Sequence, residues 1–335
     1  MNTPVRAAMS KRRYTTLLTA AAALTLLSPL ASPSARADAL TPIIGSYSGH
    51  FNDMEDFYDP ATQSIVTSNF GAVGQQNFGI DVLGNISSSS GGIYGGPGTG
   101  DYLVGVFGGI TVGQVVENVF GTTVLAFGPG TTGFASGGVF HVYEIPQSDF
   151  SSTAAFNAFV NATSAAGFAG AGCGGQTVSQ VAAGTSFCYD GLTNLANVHD
   201  VLDFALQPSY NSFQPLIGGP VALNSTYTLG ASFNSTLTGT ANTWANVIGG
   251  DDAAQFATHG KINPLGTLTD ISLIDDFCPE SPTCGSIYAG QTAPGWTVAS
   301  SDPFSGLGVP EPGTFALLGS GLAGLGFFGS RRRKG

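Results

Sequence analysis

The sequence predicts an all-β fold, mainly an antiparallel β-sandwich with one or two short helical insertions. From Leu223 to Thr238 the odd positions are mostly apolar, and every even position is polar or glycine. A period of two gives a strand one buried and one solvated face, the pattern of an antiparallel sheet. Charged residues make up 9% of the chain and phenylalanine occurs 23 times, which favours a folded domain over intrinsic disorder.

Further elements follow from the same patterns. One helix is expected between a cap at Asp149, Ser151 or Ser152 and Gly167, because aromatic and aliphatic residues recur there at helical spacing. About 270 residues lie between the two ends of the chain, enough for one large all-β domain. Strands are expected where apolar residues alternate or run together between glycine-rich turns, at 77–86, 102–107, 119–127, 138–145 and 267–274.

Residues 1–37 have the pattern of an export signal, which includes a short apolar helix. A basic cluster at 11–13 precedes the apolar run. Ala35 and Ala37 place small side chains at the two positions that signal peptidase reads, so cleavage is expected before Asp38. The general secretory route is favoured over a twin-arginine route, because the residues after the arginine pair fit the latter poorly.

The central domain, residues 38–308, is strongly acidic. Nine of the ten basic residues of the chain lie in the first 36 or the last five positions. Between Asp38 and Val309, 20 acidic residues therefore stand against the single base Lys261, a formal charge of −19. Such a surface repels nucleic acids and anionic membranes, which bind through basic side chains. Nucleic acids are excluded as partners, and ion pairs contribute little to the predicted fold.

All four cysteines, Cys173, Cys188, Cys278 and Cys284, lie in the part of the chain expected to be exported. Four cysteines allow three pairings, of which the local one, Cys173 with Cys188 and Cys278 with Cys284, is the most economical. A zinc site is the competing interpretation, but the spacings do not resemble zinc knuckles. Structural disulfides are therefore expected, as in other proteins of oxidising compartments.

Carboxylates cluster at Asp53, Glu55 and Asp56, which are weak candidates for Ca²⁺ ligands. Bunched oxygen ligands suit Ca²⁺, although no EF-hand loop or nonapeptide calcium repeat is present. The favoured interpretation is a set of solvated acidic loops. Paired carboxylates also serve as acid and base in glycosidases, but no supporting motif accompanies them. No cofactor other than Ca²⁺ is predicted.

The histidines offer no catalytic constellation. His199 and Asp200 with Asp203 come nearest to a metal corner, but no second histidine is close in sequence. His141 falls in a predicted strand and is interpreted as a packed, hydrogen-bonded side chain. No serine lies in a nucleophile elbow, and no cysteine is expected to be free. The domain is therefore predicted to be non-enzymatic, with no catalytic residue.

Residues 309–335 carry the most specific signal: a short motif, a glycine-rich apolar run and a basic cluster. The motif comprises Val309, Pro310, Glu311 and Pro312, and the basic cluster comprises Arg331, Arg332, Arg333 and Lys334. The apolar run predicts a short transmembrane helix of about fourteen residues, fewer than the roughly twenty that span a bilayer comfortably. The basic cluster is the stop expected on the cytoplasmic side. Such a marginal anchor suits a protein that is held briefly and then released.

This tail resembles the PEP-CTERM sorting signal of Gram-negative bacteria over residues 309–334. The resemblance implies that exosortase, a membrane-embedded cysteine transpeptidase, recognises and cleaves the tail. It also implies an inner-membrane intermediate and a link to exopolysaccharide, biofilm or flocculation. The central domain further resembles domains of other proteins with this tail, at Phe187–Gly191 (FCYDG) and Thr240–Gly250 (TANTWANVIGG).

The sequence thus predicts an exported, non-catalytic protein of the cell surface or extracellular matrix. Its processing partners are signal peptidase and exosortase, and exopolysaccharide is the expected neighbour. The alternative function is that of a secreted carbohydrate-binding module, with or without Ca²⁺, or of a carbohydrate-active hydrolase. The identity of any bound polysaccharide is not encoded in a motif.

Overall fold

A computed structural model of the chain describes most of the acidic domain. The described residues are 43, 45–67, 71–88, 91–98, 100–119, 122–129, 138–192, 195, 198–207, 229–233, 239–279 and 296–308. The predicted signal peptide, the sorting motif and the basic stop lie outside these residues. Most of the alternating segment 223–238 also lies outside them, and its described part forms a strand.

Strands dominate the described part of the chain. They are β1 (Gly45–Asp59), β2 (Ser64–Ile65), β3 (Gln76–Ser88), β4 (Gly91–Tyr94), β5 (Tyr102–Val119), β6 (Thr122–Pro129), β7 (Val139–Ile145), β8 (His199–Leu206), β9 (Leu229–Phe233), β10 (Gly239–Gly249), β11 (Lys261–Ile262), β12 (Leu268–Thr269), β13 (Ile271–Pro279) and β14 (Val298–Gly308). The α-helices are α1 (Thr153–Asn161), α2 (Val178–Ala182) and α3 (Ala253–Phe256). Short 3₁₀ turns lie at Gln147–Asp149, Ala165–Ala169 and Ala171–Cys173. None of the helices within the described ranges is long and apolar enough to cross a membrane.

Twelve strands form one antiparallel sheet that closes on itself. The order is β4-β3-β1-β14-β13-β10-β8-β7-β5-β6-β9, with β2 paired to β1, and a pairing between β3 and β5 closes the ring. Strand β5 pairs with β7 up to Gly108 and with β6 from Ile110 onward. Strand β10 divides in the same way between β9 and β8. The pair β7–β8 therefore completes the ring at one end, and the pair β6–β9 completes it at the other.

The closed sheet separates two apolar cores. The interior core receives side chains from β1, β3, β5, β7, β8, β10, β13 and β14, including Phe51, Leu103 and Phe304. The second core lies on the outer face of β1, β3 and β5, beneath the helical segment 147–192. In β3 the alternation predicted from sequence is confirmed, since Phe78 and Ile80 belong to the outer core. Both faces of these strands are therefore buried, and so are the acidic side chains Asp53, Glu55, Asp56 and Asp81 that they carry.

The predicted helix exists but is shorter than expected. Ser152 caps α1 by accepting a hydrogen bond from the backbone N–H of Ala155 at 3.2 Å. The ring of Phe156 stacks on Tyr102 of β5 with centroids 3.9 Å apart. The helix ends at Asn161, and the Thr163 hydroxyl donates to the carbonyl of Val160 at 2.7 Å. The chain then continues as a 3₁₀ turn, so Gly167 is not part of α1.

The strand predicted at 267–274 is divided in two. Thr269 ends β12 and Ile271 begins β13, and Asp270 between them is fully buried. Its carboxylate accepts hydrogen bonds from the backbone N–H groups of Val247 at 2.8 Å and His259 at 2.5 Å. These bonds hold Asp270 against neighbouring segments at the point where the strand is interrupted.

The predicted antiparallel all-β class with short helical insertions is confirmed. The two walls of the expected sandwich belong to one continuous sheet, because β5 and β10 are long enough to pair with two successive strands along one edge. Sequence alternation reports which face of a strand is buried, but it carries no information about which strands close the ring.

Candidate functional site

A β-bulge in β8 brings two carboxylates to one face of the sheet. In a regular strand, residues three apart, such as Asp200 and Asp203, point to opposite faces. Here the register shifts: Tyr143 opposes Asp200 while His141 opposes Asp203, which makes Val201 the extra residue. Because His141 and Tyr143 are two apart on β7, both carboxylates lie on the face of these two side chains.

This face is the outer one, because the alternate residues Phe140 and Val142 of β7 belong to the interior core. Atom Nδ1 of His141 lies 2.5 Å from Oδ1 of Asp203 and 3.8 Å from Oδ2 of Asp200. Burial lowers the pKa of the His141 imidazole, but the hydrogen bonds and charges of the two aspartates outweigh burial and raise it to about 9. In this arrangement His141 is therefore protonated at neutral pH.

Two glycines of β10 and the following turn make room for the bulge. A Cβ atom at position 249 would clash with Oδ2 of Asp203, and one at position 250 would clash with the carbonyl of Val201. Gly250 also has a φ of +96°, a conformation that favours glycine. The carbonyl of Val201 accepts the backbone N–H of Asp252 at 2.9 Å. The lack of side chains at Gly249 and Gly250 therefore leaves the space that the Asp203 carboxylate and the bulged backbone occupy.

The cluster forms one wall of an open cavity of about 610 Å³, to which His141 and Asp200 contribute. The rest of the lining is mostly aromatic or aliphatic, namely Tyr143, Phe187, Tyr189, Leu192, Leu195 and Val198. The ring of Phe187 lies with its centroid 4.4 Å from that of His141. A cavity of this size with an apolar lining and a few converging polar groups is typical of a small-molecule site. It suits a ligand that presents a ring face and polar groups.

The loop that carries Phe187 is held in place from two sides. The predicted disulfide between Cys173 and Cys188 is confirmed. The side-chain amide of Gln176 donates to the carbonyls of Cys188 at 2.8 Å and Phe168 at 2.7 Å. Its oxygen accepts the backbone N–H of Cys188 at 3.0 Å and the hydroxyl of Ser186. This wall of the cavity is thus held by the disulfide and by the Gln176 side-chain amide, which makes four hydrogen bonds.

A second group of carboxyl side chains lies inside the closed sheet. Asp53 of β1 opposes Asp81 of β3, and they are 2% and 0% exposed. Asp53 is hydrogen-bonded to Asp81 and Asp302. Burial raises the pKa of Asp53 well above its usual value, and the charges of Asp81 and Glu55 raise it further. Burial likewise raises the pKa of Glu55.

Asp53, Glu55 and Asp56 were interpreted above as solvated acidic loops, and that interpretation is wrong. All three are buried within β1, which has partner strands on both sides. They also point to different faces. Asp53 and Glu55 face the interior, where Glu55 accepts from Asn77 at 2.7 Å. Asp56 faces outward and accepts the backbone N–H of Thr297 at 3.0 Å. The three predicted Ca²⁺ ligands therefore do not converge on one point.

Within the described ranges, the group whose donor atoms come together as for a metal ion is His141, Asp200 and Asp203. Of the three residues that came nearest to a metal site in the sequence, Asp200 and Asp203 belong to this group. The histidine of the group is His141, and not His199. His199 opposes Glu144 across the β7–β8 pair. The expectation that His141 is a hydrogen-bonded strand residue is confirmed. The place of His141 in the group was not predicted, because about sixty positions separate it from the two aspartates in the sequence.

Both motifs singled out in the central domain meet at this site. The FCYDG segment supplies Phe187 and Tyr189 to the cavity lining, and the TANTWANVIGG segment supplies Gly249 behind Asp203. These two motifs were the features of the sequence that pointed to the site. Neither motif contains a donor atom of the cluster, so the cluster itself could not be located from them.

The other predicted site residues lie largely outside the described part of the chain. This holds for the cleavage residues Ala35, Ala37 and Asp38, for the motif 309–312 and for the basic stop 331–334. Cys278 belongs to β13, and Cys284 lies outside the described residues. The second disulfide therefore stays a prediction.

Comparison with known proteins identifies the tail. The family model for the PEP-CTERM protein-sorting motif matches residues 308–334. No curated protein and no solved structure matches the chain. The sorting motif indicates export, and it implies processing by exosortase at the membrane. The chain therefore carries, in its last 28 residues, a PEP-CTERM protein-sorting motif, a signal that implies export and membrane-associated processing.

Proposed function

We propose that the protein is a non-catalytic component of the cell surface or extracellular matrix that associates with exopolysaccharide. The observation that carries this proposal is the sorting motif at 308–334, placed directly after a closed, disulfide-containing acidic domain. A tail that is cleaved at the membrane leaves that domain outside the cell. A domain with a formal charge of −19 stays soluble there and does not bind nucleic acids.

The sorting part of this proposal is tested by following the protein in its producing cells. Deletion of 309–335 is expected to abolish the membrane-associated precursor and to change the distribution between membrane, surface and medium. Replacement of Pro310, Glu311 and Pro312 together by alanine is expected to have the same effect. Ile262→Ser, a change at a side chain 66% exposed in the domain, serves as the control and should distribute like the wild type. An unchanged distribution of the deletion variant would contradict the proposal.

The cavity favours a second candidate function, that of a saccharide-binding module. Its lining sets the rings of Tyr143 and Phe187 beside the polar groups of His141 and Asp200. Ring faces contact the apolar face of a sugar, while a carboxylate and an imidazolium accept from and donate to its hydroxyl groups. The acidic domain favours neutral saccharide units, because anionic ones are repelled.

Phe187→Ala is expected to weaken binding of the cells' own exopolysaccharide about tenfold, since central aromatic contacts carry more than 1 kcal/mol in many interfaces. Binding of the exported protein to the purified polymer is the measurement. Phe150→Ala is a matched control, because Phe150 is also half-buried and makes ring contacts with Tyr102 but does not line the cavity. Equal affinities of the two variants for the polymer would contradict saccharide binding at the cavity.

A further inference from the structure

We propose that His141, Asp200 and Asp203 bind a divalent transition-metal ion, such as Zn²⁺ or Mn²⁺, on the wall of the cavity. The site goes beyond the proposed function and holds whether or not the cavity binds a saccharide. It rests on the convergence of three donor side chains, on the coordination chemistry of those donors and on the open space beside them.

The spacing of the donor atoms suits one ion. One donor atom from each residue lies within 4.8 Å of the other two. With metal–ligand bonds of about 2.0–2.2 Å, two ligands of the same ion are about 3–3.5 Å apart. The distances from Nδ1 of His141 to Asp203 and Asp200, 2.5 and 3.8 Å, lie on either side of this value. Small rotations of the two carboxylates are therefore sufficient to receive an ion.

The backbone prepares this convergence. If Val201 were paired as in a regular strand, Asp200 and Asp203, three positions apart, would lie on opposite faces of the sheet. Gly249 leaves space for the carboxylate of Asp203, which is mostly buried. His141 lies on β7, a strand paired on both sides. All three donors thus belong to strands of the closed sheet that are paired with neighbours, and such positions are more precise than those of loop residues.

The donor set selects the class of ion. Two carboxylate oxygens and one imidazole nitrogen suit first-row divalent metals, whereas Ca²⁺ takes oxygen ligands throughout. Two aspartates balance the charge of a divalent ion. Between Asp38 and Val309 the single Lys or Arg is Lys261, and its amine donates to Ser305 at 2.9 Å. An ion on Nδ1 replaces the proton shared between His141 and Asp203, and that proton leaves to solvent.

The remaining coordination positions open to the cavity. His141 and Asp200 line the cavity, while Asp203 lies behind them against Gly249. Three protein ligands leave at least one position for water or for an oxygen of a bound molecule. An ion here therefore lies within reach of whatever occupies the 610 Å³ cavity. It also gives an acidic protein a means of attracting oxygen-rich anionic groups.

The test is a calorimetric titration of the full chain, purified without an affinity tag and treated with EDTA, with Zn²⁺ and separately with Ca²⁺. One equivalent of Zn²⁺ is expected to bind, and Ca²⁺ is expected to bind more weakly. His141→Ala and Asp200→Asn should weaken Zn²⁺ binding by more than the roughly 10–100-fold that loss of an outer-shell partner costs. His199→Ala is the matched control, because this histidine precedes Asp200 in β8 and should leave the affinity unchanged.

Asp200→Asn keeps the test decisive if His141→Ala fails to fold, because the Asp200 side chain is 41% exposed and carries little packing. An unchanged thermal midpoint together with lost Zn²⁺ binding supports the site. Absence of saturable Zn²⁺ binding, retention of the affinity in folded Asp200→Asn, or a loss in His199→Ala as large as in His141→Ala would each overturn the proposal. Ca²⁺ binding as tight as Zn²⁺ binding would overturn the assignment of the ion.

Discussion

We expect Asp53→Asn to raise the free energy of unfolding at neutral pH by about 1–3 kcal/mol, the range associated with one unfavourable buried polar group. Asp53 lies inside the closed sheet, where Asp81, Asp302 and Glu55 also place carboxyl groups. An amide has nearly the same shape as the carboxyl group, carries no charge and can donate a hydrogen bond to Asp81. The substitution therefore removes repulsion and desolvation without creating a cavity.

The same carboxyl groups set the direction of the pH dependence. The folded-state pKa values of Asp53 and Glu55 are raised, whereas in the unfolded chain they titrate near 3.9 and 4.3. Their contribution to stability is fully present below the unfolded values and is lost as the pH rises through the folded values. We therefore expect the wild-type thermal midpoint to fall as the pH is raised from about 4, and to fall less in Asp53→Asn.

Thermal unfolding of both proteins across this pH range is the measurement. Asp251→Asn is the control, because it makes the same change of charge at an exposed side chain and should alter stability by less than about 0.5 kcal/mol. This control distinguishes the effect of removing the buried Asp53 charge from the effect of lowering the general charge repulsion within an acidic domain. A wild-type midpoint that rises with pH, or an Asp53→Asn variant that is destabilised equally at all pH values, would contradict the interpretation.

Replacement of both Cys173 and Cys188 by serine is expected to lower the free energy of unfolding by about 3 kcal/mol, the chain-entropy value for a loop of this length. The two cysteines are 15 positions apart, and the bond closes the loop that carries Phe187 into the cavity. Cys278 and Cys284 remain in place, so the effect belongs to one disulfide. A general reductant would not allow this separation.

The measurement for the disulfide is denaturant unfolding of the double variant beside the wild type. Ligand binding at the cavity should also weaken, because Cys188 anchors the wall next to Phe187. Gln176 still holds the backbone of Cys188 through its amide, so the fold itself should survive. Equal unfolding midpoints of the two proteins, or free thiols at 173 and 188 in the native wild type, would refute the role given to this bond.

The fold could be predicted from the sequence to the extent that alternation is local. Phe78 and Ile80 of β3 lie on one face as predicted, and Ser152 caps the predicted helix. The closure of the sheet could not be predicted, because it depends on β5 and β10 each pairing with two successive strands. The burial of Asp53 and Glu55 was also missed, since acidic residues are rarely buried and no basic partner marks the position.

The candidate site, like the fold, could be predicted from the sequence only in part. Asp200 and Asp203 were recognised as a pair from their closeness in sequence. Their third partner, His141, could not be found, because its place depends on the register of β7 against β8 and on a bulge at Val201. Bulges have no reliable signature in a single sequence. The glycines at 249 and 250 were visible as a motif, but their role required the position of Asp203.

Export connects these features into one account. Oxidising surroundings maintain the disulfide that shapes the cavity, and the medium outside the cell supplies the divalent ions that the cluster is proposed to bind. The carboxyl groups inside the sheet are expected to make the domain more stable in mildly acidic surroundings. Each of these properties suits a domain outside the cytoplasm, and export is what the sorting motif implies.

Mass spectrometry of the C-terminus of the protein recovered from the producing cells is therefore the most direct test. The account predicts that the exported polypeptide ends upstream of Arg331, and that the form with an intact C-terminus is found only in the membrane fraction. An exported protein that retains Lys334 and Gly335, with no shortened form in any fraction, would contradict it.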